Sequence, residues 1–218
     1  MVAEPIHDAD RDALKKSSSP SDLWPNRADR LIDTLRRDLD SSRFHHVLGV
    51  LSTALGLAAS HRDSVTQEAV AWAALLHDIA KGRKKQAQRV LAEECGESIP
   101  PEDEDHSSLW HAWAGAGVAR RDWGADDEVL LDAIRYHPTG HPAMGPLGKT
   151  LMLADYLEPT RGFEERRGLL AQAHRDLDGA LAHVLRAKID HLERAGRAVH
   201  PRTAATLEAL GAPKSQEV

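Results

Sequence analysis

The adjacent pair His77-Asp78 is the feature of the sequence with the clearest chemical potential, because it lies within the apolar segment 72–79. Burying an ionised carboxylate beside an imidazole is costly unless both groups are paired or bind a metal ion. An isolated pair of this kind is more often structural, with a neutral histidine bonded to a neighbour and an aspartate paired with Lys81. The pair therefore indicates a metal centre only if other ligands accompany it.

Four more metal-ligand side chains lie on predicted helices. His46 falls on an apolar helical face, His111 lies between two tryptophans near a helix start, and His137 ends a helix. Asp155 interrupts the apolar stretch 151–157, where a carboxylate needs a partner and none is local. Taken singly, His46 is more typical of a core histidine, and His137 of a cation at the carboxyl end of a helix.

Together these groups are four imidazoles and two carboxylates on helices that must pack around one core. Such a set suits two divalent ions of iron, manganese, cobalt, nickel or zinc better than magnesium, which prefers oxygen ligands. Two metal ions roughly 3.5–4 Å apart can share a bridging hydroxide and hold phosphoryl oxygens. Asp78, with two carboxylate oxygens, is the natural bridging ligand of the predicted dinuclear site.

The bulk composition restricts the class of protein. The chain has 218 residues, and 28 basic against 34 acidic side chains give a net charge of −6. An acidic chain is a poor candidate for broad nucleic-acid binding, although a local basic cleft with metal ions can still bind a small polyanion. The single cysteine, Cys95, excludes an internal disulfide and fits a reducing cytoplasm. No apolar run approaches a membrane span, so we expect a cytoplasmic protein without a membrane partner.

The elements that must position these ligands have a helical pattern of apolar residues, and strand alternation is absent from the pattern. We expect one all-α domain, a helical bundle over residues 27–212, which is long enough to bury a sizeable core. Residues 1–26 are polar and predict a flexible tail, and residues 213–218 predict a second, short one.

Capping residues set the expected helix ends. Ser64 is expected to begin the helix of the His-Asp pair and Gly82 to end it, and Asp126 is the expected N-cap of a later helix. Residues 100–105, rich in proline and acidic side chains, are expected to form a loop. The predicted helices cover residues 27–40, 43–59, 64–81, 84–95, 106–122, 126–136, 146–158, 164–175, 177–195 and 202–210.

Five short motifs follow one another along the chain. They are Arg43-Phe-His-His-Val-Leu-Gly-Val50, Ala74-Leu-Leu-His-Asp-Ile-Ala-Lys81, Ala133-Ile-Arg-Tyr-His-Pro-Thr-Gly140, Leu153-Ala-Asp-Tyr-Leu-Glu-Pro159 with Arg161 just after, and Ala198-Val-His-Pro201. In this order they resemble the HD-domain metal phosphohydrolases, and most closely the YqeK-type branch of symmetrical diadenosine tetraphosphate hydrolases. The third and fourth motifs are the most specific, and the resemblance covers roughly residues 27–210.

The resemblance implies a helical HD domain around a di-iron site, and cleavage of the tetraphosphate bridge to give two ADP. It departs at the stretch Leu109-Trp-His-Ala-Trp113, where the branch usually has a Leu-His-Gly-Pro type sequence, and this departure bears on substrate preference. The implied metal ligands are His46, His77, Asp78, His111, His137 and Asp155.

For the reaction we expect a metal-bridging hydroxide to attack a phosphorus in line while an ADP phosphate leaves, which gives Asp78 a catalytic role. Lys81 is expected to be catalytic and to contact phosphate from one turn beyond the pair, and Arg161 is the second expected phosphate contact. The backbone amides of Thr139 and Gly140 are further candidates for substrate binding, because small turn residues permit a close approach.

Weaker candidates also have ordinary structural explanations. Arg135 and Lys149 would be further phosphate contacts, but exposed basic residues are usually solvated. Trp110 and Trp113 would stack on a nucleobase, although core packing is the more typical role of a helical aromatic.

Three other functions compete with the tetraphosphatase. One is a different HD-type phosphohydrolase, acting on a nucleoside monophosphate or a cyclic dinucleotide, and the second is a non-catalytic nucleotide-binding regulator that keeps the metals for structure. A complete ligand set argues against the regulator. The third, a purely structural helical module, would require six buried polar groups to be satisfied one by one. The apolar content of several helices permits a homodimer without requiring one.

Overall fold

The structure, a computed structural model, describes residues 24–211, with side chains from residue 27 onward. Within that range the chain forms eleven α-helices and no strand, which confirms the predicted all-α class. The predicted tail of residues 1–26 overlaps the first helix by three residues, and the rest of it and the tail 213–218 lie outside the described residues. The helices are α1 (Trp24–Asp38), α2 (Ser41–Ser60), α3 (Gln67–Leu76), α4 (Lys85–Glu94), α5 (Pro101–Glu104), α6 (Trp110–Trp123), α7 (Glu128–Tyr136), α8 (Pro146–Leu157), α9 (Arg166–Ala173), α10 (Leu177–Arg194) and α11 (Pro201–Gly211).

Helix α3 is shorter than the sequence pattern predicts. Its N-cap is Thr66 rather than Ser64, and the Thr66 hydroxyl accepts a hydrogen bond from the Ala69 amide at 3.2 Å. The helix ends at Leu76, and residues 77–81 continue as turns closed by backbone bonds three residues apart. The His-Asp pair therefore lies just beyond the carboxyl end of a helix, and the expected end at Gly82 is too late.

Two other predicted boundaries also need correction. Asp127, not the adjacent Asp126, caps α7 by accepting a hydrogen bond from the Val129 amide at 2.9 Å. Within the acidic segment 100–105, expected to be a loop, residues 101–104 form the short helix α5. Asp103 of that helix is fully buried, so the acidic segment is not a uniformly solvated one.

Helix α3 is the centre of the bundle. It is apolar on nearly every side, and it packs against α1, α2, α6, α7 and α8. A second, smaller apolar core joins α8, α9 and α10. Helices α2 and α8 approach closely at Gly49, where any Cβ atom would lie 2.7 Å from a carboxylate oxygen of Glu158. None of the helices within residues 24–211 is long and apolar enough to cross a membrane.

Candidate metal centre

Five helices bring the six predicted ligands together at one end of α3. The four histidines and Asp78 are buried, and Asp155 is partly exposed. The ligands come from α2 (His46), the turn after α3 (His77 and Asp78), α6 (His111), the end of α7 (His137) and α8 (Asp155).

Asp78 lies in the middle of this cluster. Its Oδ1 atom is 3.3 Å from His111 Nε2 and 3.8 Å from His137 Nε2. Its Oδ2 atom is 3.7 Å from His77 Nε2 and 3.9 Å from His46 Nε2. Four imidazoles thus face one carboxylate, which is the arrangement expected of a bridging ligand.

Backbone carbonyls orient two of the imidazoles. His77 Nδ1 lies 2.7 Å from the Ala74 carbonyl oxygen, and His137 Nδ1 lies 2.8 Å from that of Ile134. Because a carbonyl oxygen only accepts, Nδ1 is the protonated nitrogen, and in a neutral ring Nε2 carries the lone pair. Both Nε2 atoms therefore present lone pairs to the Asp78 side of the cluster, as histidine ligands of metals do.

Burial and charge set the protonation states of the cluster. Burial, together with repulsion from His77, lowers the pKa of His137 to about 4. Burial also lowers the pKa of His111 well below its ordinary value. For Asp78 burial alone would raise the pKa, but attraction from His77 and the other cations holds it below the ordinary value. For His46 burial alone would lower the pKa, but hydrogen bonds to Asp155 and Glu158 raise it. Neutral His111 and His137 beside an ionised Asp78 are the states in which these three groups bind metals.

Two sets of three ligand atoms meet the distance requirement for a metal ion. Within each set all atoms lie within 4.8 Å of one another; one set is His46, His77 and Asp155, and the other is His77, Asp78 and His137. Buried atoms among them, such as His77 Nε2 and Asp78 Oδ1, make no hydrogen bond within residues 24–211. Such atoms are costly to bury without a partner, and each offers a lone pair to a cation. The residues therefore fit divalent metal ions.

Lys81 lies against the cluster, in the turn after α3 rather than on the helix. Its ammonium nitrogen is 2.9 Å from His111 Nε2 and 3.8 Å from Asp78 Oδ1. Burial lowers the pKa of Lys81 although Asp78 attracts its charge. The Nε2 atom of His111, which would bind a metal ion, therefore contacts the Lys81 ammonium instead. His111 also belongs to neither of the two sets of three ligand atoms. Ligation by His111 stays a prediction.

Glu158 supports His46 from outside the predicted ligand set. Its side chain is fully buried, and Oε1 lies 3.0 Å from His46 Nδ1, which leaves His46 Nε2 facing the cluster. Burial would raise the pKa of Glu158, but hydrogen bonds from Thr160 and His46 lower it. A carboxylate in this position orients a histidine ligand and raises its basicity. Sequence reasoning gave Glu158 no role, although Glu158 belongs to the specific motif 153–159 and follows Asp155 by three residues.

A cavity of about 370 Å³ opens onto the cluster. Apolar side chains of α8 and α10 form part of its wall, and five basic side chains line it. An apolar wall with a few convergent charges suits a nucleotide-sized ligand better than a bare ion. Two of the basic residues, Lys188 of α10 and Arg197 just after it, were not predicted from the sequence, because the segments around them carry no local signal of a functional site. The basic residues are Arg43, Lys81, Arg161, Lys188 and Arg197.

The turn at Thr139-Gly140 does not present its amides to the cavity. Both amides donate to the Tyr136 carbonyl, at 3.1 and 2.7 Å. Gly140, with φ of +76°, packs so closely on Thr206 that a Cβ atom would lie 2.9 Å from that side chain. Both amide donors are thus already used within the turn, and the contact of Gly140 with phosphate stays a prediction without support from this geometry. The Thr139 side chain does line the cavity, so its contact with substrate stays a prediction.

The weaker basic candidates lie away from the cavity. Arg135 is buried and donates to Glu97 at 2.7 and 2.8 Å, which raises the pKa of the guanidinium despite its burial. Lys149 pairs with Asp178 at 2.6 Å. Arg135 therefore ties α7 to the segment after α4, Lys149 ties α8 to α10, and neither side chain lines the cavity.

A second buried group, here named the Asp103 cluster, comprises Asp103, Trp110, Trp113, His200 and Arg202. Asp103 Oδ2 accepts hydrogen bonds from Trp113 Nε1 at 2.8 Å and from Arg202 Nη1 at 3.1 Å. His200 Nε2 lies 2.9 Å from Oδ1, and Trp110 Nε1 donates to the Asp103 carbonyl at 3.1 Å. The two indole N–H groups are thus engaged in packing α5 against α6, and neither tryptophan lines the cavity.

Comparison with known proteins places this geometry in a family. The model of the HD domain matches residues 43–160. A symmetrical bis(5'-nucleosyl)-tetraphosphatase of Bacillus subtilis is 36% identical over 170 residues, which cover 78% of this chain and 89% of that protein. A protein of the same name from Halalkalibacterium halodurans is 35% identical over 183 residues, covering 83% of this chain and 95% of that protein.

A solved structure agrees with these sequence matches. It is a crystal structure from Clostridium acetobutylicum, described as a predicted HD superfamily hydrolase involved in NAD metabolism. It matches with a TM-score of 0.78 and 34% sequence identity, over 84% of this chain and 95% of that one. The matches confirm the resemblance seen in the motifs, and the chain belongs to the HD domain family of metal-dependent phosphohydrolases.

Proposed function

We propose that this protein hydrolyses diadenosine tetraphosphate, and related dinucleoside polyphosphates, symmetrically to two ADP. The observation that carries the proposal is the convergence of buried lone pairs on Asp78 beside a cavity lined with basic side chains. The choice of substrate rests on the tetraphosphatases of similar sequence, because those proteins match most of the chain. A nucleotide-sized cavity with an excess of positive charge supports a polyphosphate over an uncharged substrate.

Two divalent transition-metal ions are the proposed cofactors. His46, His77, Asp78, His137 and Asp155 would hold them, with His111 as the sixth ligand. A set dominated by imidazole suits iron, manganese, cobalt, nickel or zinc, and the family resemblance favours iron. When bound, such ions supply Lewis acidity toward the phosphoryl group and a nucleophile at neutral pH.

The protein's own residues hold the ligands and the phosphate chain. Glu158 fixes the ring of His46, and Arg43 Nη1 holds Asp78 Oδ2 at 2.8 Å. Arg161 and Lys81 line the cavity and are proposed to bind phosphate oxygens. Their positive charges would stabilise the negative charge that develops on these oxygens as the tetraphosphate bridge breaks.

Product analysis tests this proposal. Metal-loaded protein should convert diadenosine tetraphosphate to ADP alone, measured by ion-exchange chromatography. ATP plus AMP would mean that the cut is asymmetric and would overturn it. A parallel panel with a cyclic dinucleotide and a nucleoside monophosphate separates the other HD-type activities. Tight nucleotide binding without turnover would instead favour the regulator. A cytoplasmic location and a homodimer stay predictions.

A further inference from the structure

Lys188 is a half-buried lysine of α10 that lines the cavity at the candidate metal centre. Its ammonium group donates a hydrogen bond to the carbonyl oxygen of Pro138, the residue that follows the ligand His137. Lys188 makes no ion pair with any side chain among residues 27–211. The ammonium therefore contacts a neutral backbone dipole next to the ligands, and the Asp155 carboxylate attracts its charge from beyond ion-pair distance.

The arginines of the same cavity are placed differently. Arg43 Nη1 lies 2.8 Å from Asp78 Oδ2, and Arg161 Nη2 lies 3.3 Å from Asp155 Oδ1. Both guanidinium charges are thus compensated within the protein. A partly buried cation without a carboxylate in direct contact is costly, and a phosphate oxygen would supply a contacting counter-charge in a short, charge-assisted hydrogen bond.

We propose that Lys188 binds the phosphate chain of the substrate directly, on the α10 side of the metal centre. The ligand class is the diphosphate of a nucleoside diphosphate, which is one half of the dinucleoside tetraphosphate. The inference rests on the proposed function, because that function supplies a phosphate chain long enough to reach beyond the metal centre. Arg197, exposed and lining the same cavity, continues the positive charge outward from Lys188.

The test compares Lys188→Met with a matched control, Arg186→Met. Methionine keeps the length and apolar stem of lysine, and Arg186 is an exposed residue of the same helix that does not line the cavity. Calorimetry with ADP on the metal-loaded protein gives a dissociation constant, and steady-state kinetics with diadenosine tetraphosphate give KM and kcat. A lost charged hydrogen bond should raise the ADP dissociation constant and KM roughly ten- to hundredfold in Lys188→Met.

The remaining readouts separate binding from structure. Metal content and the urea midpoint should match the wild type in Lys188→Met, Lys188→Arg should recover most of the ADP affinity, and Arg186→Met should behave as the wild type. Unchanged ADP affinity and KM in Lys188→Met would overturn the inference. A lower metal content or a lower urea midpoint in this variant would overturn it as well. If the wild type binds ADP but leaves diadenosine tetraphosphate intact, while Lys188→Met binds ADP weakly, the proposed function fails and the phosphate site stands.

Discussion

Asp78 and Asp103 are both buried aspartates with histidine and arginine neighbours, but the two surroundings offer opposite partners. Asp103 faces donors, with an indole N–H at 2.8 Å and a guanidinium at 3.1 Å on the same oxygen. Asp78 faces one guanidinium and a ring of imidazole Nε2 atoms, of which those of His77 and His137 are oriented as acceptors by their Nδ1 bonds.

The difference shows why burial alone does not mark a functional acid. The exposed fractions of Asp78 and Asp103 are 2% and 0%, so accessibility does not distinguish them. The fold supplies donors to Asp103, whereas at the metal centre Arg43 reaches only one oxygen of Asp78 and the Nε2 lone pair of His77 has no donor within the described residues, so that this lone pair needs a cation from outside the chain. We therefore expect substitutions at the metal centre to change function, and substitutions in the Asp103 cluster to change stability.

The largest expected effect is the loss of turnover in Asp78→Asn. Bound metal ions contribute several kcal/mol to phosphoryl transfer, so the rate should fall about a thousandfold or more when a bridging carboxylate is removed. The rate of ADP release from diadenosine tetraphosphate measures the effect, and circular dichroism checks that the helices persist. An asparagine variant with near wild-type turnover would remove Asp78 from the centre.

The second expected effect is on stability, in Asp103→Ala. Removing one partner of a buried ion pair leaves Arg202 and the Trp113 N–H uncompensated, which should lower the free energy of unfolding by about 3 kcal/mol. Urea denaturation of the metal-free protein measures the change. Asp33→Ala is the control, because it breaks an exposed ion pair with Arg36 and should leave the urea midpoint unchanged. A stable Asp103→Ala variant that no longer binds metal would contradict the separation of the two clusters.

A smaller effect is expected for Glu158→Gln. The amide keeps the shape of the side chain but loses the charge that supports His46, so metal affinity should weaken roughly ten- to hundredfold. Competition with a chelator of known affinity measures it. Glu164→Gln, at an exposed position, is the control and should bind metal as the wild type does. Equal affinities in both variants would show that Glu158 only packs α2 against α8.

The smallest effect is expected for Trp113→Phe. This change removes one donor to Asp103 and keeps an aromatic ring against Tyr136, so the free energy of unfolding should fall by about 1 kcal/mol. Turnover should be unaffected, because Trp113 does not line the cavity. A large drop in kcat with unchanged stability would place Trp113 in the functional site.

The sequence predicted the helices and the convergence of the ligands better than it predicted the side chains that support them. Apolar periodicity identifies buried helical faces, and a carboxylate such as Asp155 within one stands out. Asp103 did not stand out, because its partner Arg202 is 99 residues away and the acidic segment around it reads as solvated. Lys188 lies on an ordinary amphipathic helix, so only the packing of α10 on α8 brings it to the cavity. The sequence also does not predict that Thr66 rather than Ser64 is the N-cap, because both residue types cap helices well.

Metal stoichiometry tests the central claim most directly. Wild-type protein loaded anaerobically with ferrous iron, passed through a desalting column and assayed by elemental analysis should retain two metal ions per chain. The same treatment with manganese, cobalt, nickel or zinc would rank the metals. Folded protein that retains none of these metals would contradict the account, because the lone pairs that converge on Asp78 would then have to be compensated by the chain itself.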